Sequence, residues 1–257
     1  MSDRHVVVTG AGTGIGRAIA VRLVGDGDAV SLIGLERGPL EETAALVGGR
    51  RHVEPCDIRD RGAVDGAVGR AVDALGPIHA LIAVSGIGGG NSEDDEGGDR
   101  FDELVRTNLN GTYYCVRAAL RHLAPGPELR HVVVISSILA RIAVPGYTGY
   151  SASKAGLLGL VRSLAAELAP DDVLVNAICP GWVETDMAWL GLDLLAGEIG
   201  ATGGTRDDAY RVAMDAVPLG RMSRPDEIAA TVAWLLSPDA RGITGQAIDQ
   251  NGGAWMG

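Results

Sequence analysis

Lysine is almost missing from this 257-residue chain: of its 22 basic side chains 21 are arginine, and Lys154 alone carries an ammonium. Cysteine is scarce too. Cys56, Cys115 and Cys179 are odd in number and far apart, which fits neither a disulfide framework nor a zinc knuckle, so no metal site is expected. Unpaired thiols suit the cytoplasm. No stretch holds the ~18 uninterrupted apolar residues of a membrane span. The opening Met-Ser-Asp-Arg-His runs straight into a strand-like Val6-Val7-Val8, with no signal-peptide pattern. Excess positive charge is also lacking. A formal net charge of −11 argues against binding a nucleic-acid backbone or an anionic membrane.

What is present is a globular balance, 46% apolar and 21% charged. Short apolar, β-branched runs recur at His5–Thr9, Ala29–Gly34, Arg51–Pro55, Ile78–Val84, His131–Ser136, Val173–Ile178 and Thr244–Asp249. Runs such as Val132-Val133-Val134-Ile135 suit strands buried on both faces, as in a parallel sheet. Helix-periodic stretches such as Ala155–Leu168 lie between them. Strict alternation predicts an α/β fold: one domain over residues 1–257, a doubly wound, seven-stranded parallel sheet with helices on both faces. Two segments break the rhythm. Gly86–Arg100 is glycine-rich and acidic and reads as a mobile surface loop. Met187–Asp215 interrupts the run between the sixth and last strands, where a substrate lid would sit; its alternative is a surface hairpin without function.

Lys154 follows Tyr150 by four residues, so on a helix the two share a face. A cation there is expected to lower the phenol's pKa, and reaching neutrality needs ~3 units, or roughly 4 kcal/mol. The plain alternative is a surface lysine. At the start of the chain, Thr9-Gly10-Ala-Gly12-Thr-Gly14-Ile15-Gly16 follows a strand and opens a helix. Such a turn lets backbone approach a pyrophosphate, whose charge then sits on the helix N-terminus. After the third strand, Asp57 in Cys56-Asp57-Ile58 is placed to accept a hydrogen bond from an adenine amino group, or else to cap the next helix.

Thr9-Gly-x-x-x-Gly-Ile-Gly16, Asn108, Ser137, Tyr150-x-x-x-Lys154 and Pro180-Gly181, in that order, resemble the short-chain dehydrogenase/reductase family. The resemblance spans residues 3 to 253, down to Gly245-Gln-Ala-Ile-Asp-Gln-Asn-Gly-Gly253, and implies a single Rossmann domain. It implies that Tyr150 is the general acid/base, that Lys154 tunes it and holds the nicotinamide ribose, and that Ser137 holds the substrate oxygen. Ser136 is the rival serine, expected to point to the sheet's other face. Asn108 would anchor a proton-relaying water, or else be a structural amide bridging backbone groups. The cofactor residues implied are Gly10, Gly14, Ile15, Gly16, Glu36, Asp57, Ile58, Ser85, Lys154, Pro180, Gly181, Val183 and Thr185. A homotetramer is implied as well, and small residues on the tyrosine helix (Ala152, Ala155, Gly156, Gly159) permit close subunit contact or packing on the sheet. Cys179, beside Pro180, reads as a small buried residue rather than a nucleophile.

The chain also departs from the family pattern. After the fourth strand it carries Ala83-Val84-Ser85-Gly86 where side-chain amides usually brace the sheet, so some local rigidity should be lost. The second strand ends Gly34-Leu35-Glu36-Arg37, without the acidic residue that prefers NAD at its usual place. Glu36 repels a 2′-phosphate and Arg37 attracts one; NAD is favoured over NADP. Glu128 and Asp171-Asp172 disfavour docking of an acidic carrier protein, although Arg121 and Arg130 lie nearby. The predicted pocket wall (Ile138, Leu139, Val144, Tyr147, Trp182, Met187, Trp189) is apolar, each residue being alternatively core. The expected function is interconversion of a secondary alcohol and a ketone on a small, largely apolar substrate, cyclic ones included. The alternatives are a 3-oxoacyl-thioester (acyl carrier protein) reductase and a non-catalytic dinucleotide sensor using the same fold.

Overall fold

The structure, a computed structural model, describes residues 4–91, 98–126, 129–200 and 204–257, with backbone alone for 198–200. The acidic part of the Gly86–Arg100 loop (92–97), Glu128 and most of the Gly200–Gly204 turn lie outside the described residues.

Unbroken runs of valine and isoleucine make strands that bury both faces. Strands β1 (His5–Thr9), β2 (Ala29–Gly34), β5 (Arg130–Ile135) and β6 (Val173–Pro180) are buried at every position. With β3 (Arg51–Pro55), β4 (Ala80–Ala83) and β7 (Ala247–Gln250) they form one sheet in the order β3-β2-β1-β4-β5-β6-β7. Every pairing is parallel. This is the doubly wound architecture expected from the alternation, with its switch point between β1 and β4.

Helices α1 (Gly14–Gly25), α2 (Arg37–Leu46) and α9 (Pro225–Leu235) cover one face, where Ile19, Leu23, Leu40, Ile228 and Val232 pack on Val6, Val8, Leu32 and Val133. On the other face α3 (Arg61–Leu75), α5 (Thr112–Leu120) and α6 (Thr148–Leu168) set Val64, Val116, Leu157 and Val161 against Val7, Leu81, Val132 and Val134. Between α4 (Phe101–Val105) and α5 the chain runs through one π-helical stretch, Arg106–Gly111. Helices α7 (Asp186–Gly200) and α8 (Arg206–Asp215) pack on each other and hold a third, smaller core of Ala188, Leu192, Ala213, Met214, Val217 and Met222.

Two strands are shorter than their apolar runs. Ile78 pairs with the chain at His122 and Ala124 rather than with the sheet. Before β7, Gly245 sits at φ 71° while the Thr244 hydroxyl takes the amide of Val175, 3.1 Å away. A side chain there replaces a rung of the ladder.

Candidate active site

The carboxyl edge of the sheet gathers most of the residues singled out by pattern. At its centre, β1 ends in the glycine turn. Gly10 and Gly14 adopt φ 68° and 49°, a region most side chains avoid. A Cβ at Gly16 would stand 2.0 Å from the Gly10 carbonyl oxygen, so only glycine lets α1 start there. The N-cap, Thr13, makes no side-chain cap, and the first turn holds no acidic residue. The N–H groups at that end therefore face outward with the positive end of the helix dipole. Thr185 closes this cradle, its methyl 3.0 Å from a Cβ built on Gly14, and Gly181 packs as closely on Asn251.

The bracing amides absent after β4 have a substitute. The Thr9 hydroxyl accepts the amides of Val84 (3.1 Å) and Ser85 (3.2 Å), so a side chain still ties β1 to the end of β4. Arg17, which the sequence motifs do not mark, donates to the Gly12 carbonyl (2.6 and 2.9 Å) and to the Thr43 hydroxyl. Around this turn Ser85 lies against Gly10. Glu36 stands exposed at the start of α2, while Arg37 leans toward Glu41 at 3.5 Å. Asp57 does not cap α3; Asp60 does, accepting from the Ala63 amide. Both Asp57 oxygens are instead held by the Arg59 guanidinium at 2.7–3.0 Å, which keeps the carboxyl below its ordinary pKa. The Ile58 and Val183 side chains belong to the cores, leaving only their backbone for a ligand.

Tyr150 and Lys154 share one face of α6, the ammonium 5.7 Å from the ring centroid. Lys154 is buried, and its Nζ donates to the Ile135 carbonyl at 3.0 Å. Burial brings its pKa from 10.5 down to about 8. Tyr150 contradicts the expectation of a lowered pKa. Burial raises it, only the Ser137 hydrogen bond pulls it down, and Tyr147 adds to the rise. Without a bound cofactor, desolvation outweighs whatever the ammonium contributes. Ser137 follows β5, its hydroxyl also accepting the Leu139 amide at 3.1 Å. Ser136 is not turned away from α6 as alternation suggested, since it donates to the Lys154 carbonyl at 2.9 Å. The period of two holds only within a strand, and β5 ends at Ile135.

Asn108 lies in the π-helical stretch and is fully buried. Its Oδ1 accepts the Ile87 amide at 2.8 Å, and its Nδ2 donates to the Ile87 carbonyl (3.0 Å) and to Ser153 Oγ (3.1 Å). The structural-amide alternative is thus realised, with one Oδ1 lone pair to spare. Gly86 sits against both Asn108 Oδ1 and Lys154 Nζ.

Leu139, Val144 and Tyr147 line the chain between β5 and α6, all partly exposed. Met187 reaches across from α7, its sulfur 2.9 Å from a Cβ built on Gly88. The two tryptophans are placed differently from the expected pocket wall. Trp182 packs, partly buried, against the core of the α7–α8 hairpin, and Trp189 stacks on Tyr210 at 6.2 Å with the Arg206 guanidinium 5.7 Å from its ring centroid. On α7, Ala188, Leu192 and Leu195 turn inward to α8, which leaves Trp189 on the flank. The cysteines are inert: burial pushes Cys56 up to about 11 and raises Cys115 and Cys179 as well. No His/Cys/Asp/Glu cluster fit for a metal occurs, and no helix is long and apolar enough to cross a membrane, among the described residues.

A parallel sheet with a glycine cradle at its switch point and a Ser–Tyr–Lys group beside it defines a dinucleotide-dependent oxidoreductase class. A sequence model of the family described as "Enoyl-(Acyl carrier protein) reductase" matches residues 10–254. Short-chain reductase protein NovJ of Streptomyces niveus is 37% identical over 250 residues, 96% of this chain and 92% of that protein. The 3-oxoacyl-[acyl-carrier-protein] reductase FabG of Vibrio harveyi is 32% identical over 256 residues, 100% and 99% respectively. A crystal structure of a variant of actinorhodin polyketide ketoreductase with NADPH is similar at a TM-score of 0.86 and 31% identity, covering 98% of this chain and 97% of that one. The chain belongs to the short-chain dehydrogenase/reductase family of oxidoreductases, which work with NAD or NADP.

Proposed function

We propose that the protein interconverts a ketone and a secondary alcohol on a small, largely apolar molecule. The observation that carries this reading is the convergence of Ser137, Tyr150 and Lys154 beside a cradle whose glycines leave the volume a Cβ would fill. A nicotinamide dinucleotide fits that cradle. Its pyrophosphate would rest on the α1 N-terminus, with Ser85 and Thr185 flanking and Lys154 toward the ribose. When bound, the cofactor supplies or accepts the hydride.

The rest falls to side chains. Ser137 Oγ positions the carbonyl oxygen by a hydrogen bond. Tyr150 Oη gives that oxygen a proton in reduction and takes it back in oxidation. With its pKa shifted upward, the Tyr150 phenol is protonated near neutrality, the form that donates a proton in reduction. Lys154, still largely protonated at pH 7 with a pKa of about 8, stabilises the phenolate formed by that transfer. The spare lone pair on Asn108 Oδ1 is the route for a water that returns the proton. Lys154→Arg keeps the charge but, in a site this close, loses most turnover.

NAD is favoured, because Glu36 is exposed at the β2 end and Arg37 is turned toward Glu41. The α7–α8 hairpin serves as the lid, with Met187 its contact to Gly88. Exposed Ala152 and Ala155 on α6 and open space beside Gly159 suit a family-type homotetramer, while Gly156 is taken up by Leu109 of its own chain.

A carrier-linked 3-oxoacyl reductase is the second reading, supported by the FabG likeness. Charge opposes it: Asp171 and Asp172 are exposed, Arg130 is buried on the carbonyls of Ala124 and Asp171, and Arg121 pairs with Asp65. The deciding experiment follows absorbance at 340 nm with NADH and NADPH over free ketones and 3-oxoacyl thioesters. Turnover of free ketones with NADH preferred is expected. Turnover of thioesters alone moves the assignment to the second reading, and none with any substrate sinks both in favour of a sensor.

A further inference from the structure

Helix α6 carries Tyr150 in its first turn, yet its own cap position does nothing to hold that turn. The N-cap is Tyr147, which makes no side-chain cap, although a capping side chain ordinarily accepts an amide of the second or third helical residue. Gly149 occupies the second position, and its N–H donates to Asn91 Oδ1 at 2.7 Å, across 58 residues of sequence. The same side chain binds its neighbours. Nδ2 donates to Asp99 Oδ1 (2.9 Å) and to Thr148 Oγ1 (3.0 Å), and the Thr148 hydroxyl lies 3.3 Å from Oδ1. The Asn91 backbone amide donates to the Gly146 carbonyl at 2.7 Å. Asn91 is 8% exposed, so these bonds are made away from water and their loss is costly.

The surrounding contacts leave little room for the helix start to shift. A Cβ on Gly149 would stand 3.1 Å from Asn91 Oδ1, from Leu104 Cδ1 and from the Phe101 Cα. Upstream of Asn91, Ile87 is tied to Asn108. The strand of chain from Gly86 to Asn91 thus joins the Asn108–Lys154 side of the site to the first turn of α6.

We propose that Asn91 is the remote N-cap of α6 and a positioning residue for Tyr150, holding the phenol in register with Ser137. This rests on the reading of Tyr150 as the acid. A displacement of the first turn by a fraction of an ångström loosens the Ser137–Tyr150 hydrogen bond without touching the cofactor cradle, and misplacement of about 1 Å can cost ~100-fold in rate.

The test compares Asn91→Ala, Asn91→Asp and the swap Asn91→Asp/Asp99→Asn in full-length protein. Asn91→Asp keeps the acceptor for Gly149 but faces Asp99 with a like charge; the swap restores one amide and one carboxylate. Titration of ¹³Cζ-labelled tyrosines by NMR, without cofactor, reads the Tyr150 phenol, assigned by its loss in Tyr150→Phe. In Asn91→Ala it should titrate higher than in the parent, because the Ser137 bond that lowers it is weakened, while the other tyrosines stay put. With the best ketone of the 340 nm panel, kcat should fall at least 10-fold while cofactor Kd stays within about 2-fold. Asn91→Asp should be impaired and the swap should recover most of the loss. An unchanged Tyr150 titration with kcat within 2-fold of the parent overturns the proposal. If Asn91→Ala does not fold, the aspartate pair decides: recovery by the swap supports the role, and a folded swap no better than Asn91→Asp overturns it. Normal turnover in Tyr150→Phe removes the underlying reading and the proposal with it, whereas an inactive Tyr150→Phe beside a fully active Asn91→Ala overturns only the role of Asn91.

Discussion

The sheet and the α7–α8 hairpin draw on the same apolar residue types and bury them very differently. Around the sheet, side chains such as Leu81, Ile82 and Leu157 are at 1% exposure or less, and the cores on both faces hold the central strands between them. In the hairpin Leu192 is equally buried, yet Met187, Leu190, Leu194 and Val212 on its other sides are 48–61% exposed. The sheet side is built for permanence. The hairpin has enough core to stay folded and enough loose apolar surface to change what it covers, as expected for an element that opens locally at low cost. Asn108, Ser137, Tyr150 and Lys154, the side chains proposed to carry the chemistry, are all rooted on the permanent side.

The largest effect should come from that side. Tyr150→Phe is expected to lower kcat by ~10²–10⁴-fold, the usual share of a general acid/base, with cofactor Kd measured by fluorescence titration unchanged. A variant that kept its rate would place the chemistry elsewhere. Next come paired cavities. Leu157→Ala should cost about 2–5 kcal/mol of global stability, read from denaturant unfolding. Leu192→Ala empties an equally buried site, but its cost should appear as faster hydrogen exchange confined to α7 and α8, with a smaller drop in global stability. Equal global losses would make the hairpin part of the body and end the contrast.

A third prediction concerns pH. The folded pKa of Lys154, about 8, lies below its ordinary 10.5, so between those values the unfolded chain holds a proton the native protein lacks. Stability from this group therefore rises with pH across that window, and its charged form is a native-state burden below pH 8. Lys154→Met should accordingly stabilise the cofactor-free protein at pH 7 by about 1–3 kcal/mol. The gain should vanish near pH 10.5 in urea unfolding series, and activity should be lost throughout. A gain independent of pH would refute the burden. The smallest effect is expected at the proposed lid. Met187→Ala should raise KM about 2–5-fold, as expected for losing one apolar contact of roughly 0.4–1 kcal/mol, with thermal midpoint and cofactor Kd unchanged.

Much of this architecture could be read from the chain itself, because its signals are local. Seven apolar runs became seven strands, and the glycine turn, Ser137 and the Tyr150–Lys154 pair lie within a few residues of the element ends that place them. What escaped depends on distance or surroundings. Asn91 meets Gly149 only after 58 residues of chain have folded, and the Thr9 brace spans 75. Trp182 and Trp189 looked like pocket wall because an apolar residue near a lid has no visible facing until α8 is seen beside α7. The Tyr150 shift went the other way because helical spacing puts a cation nearby but does not measure how much water burial removes. Asp57 lost its capping role to Asp60, three residues on, a margin sequence patterns rarely resolve.

The scarcity of lysine has a practical outcome at the bench. The chain's sole side-chain amine is buried against the Ile135 carbonyl, so amine-directed dyes, acylating cross-linkers and formaldehyde find no surface lysine to attack. Any label that does arrive on Lys154 reports that the site has opened. Slow acylation, located on Lys154 by peptide mapping to separate it from the α-amine, thus becomes a clock for access to the proposed catalytic pocket, free of the background that dozens of surface lysines create in other proteins.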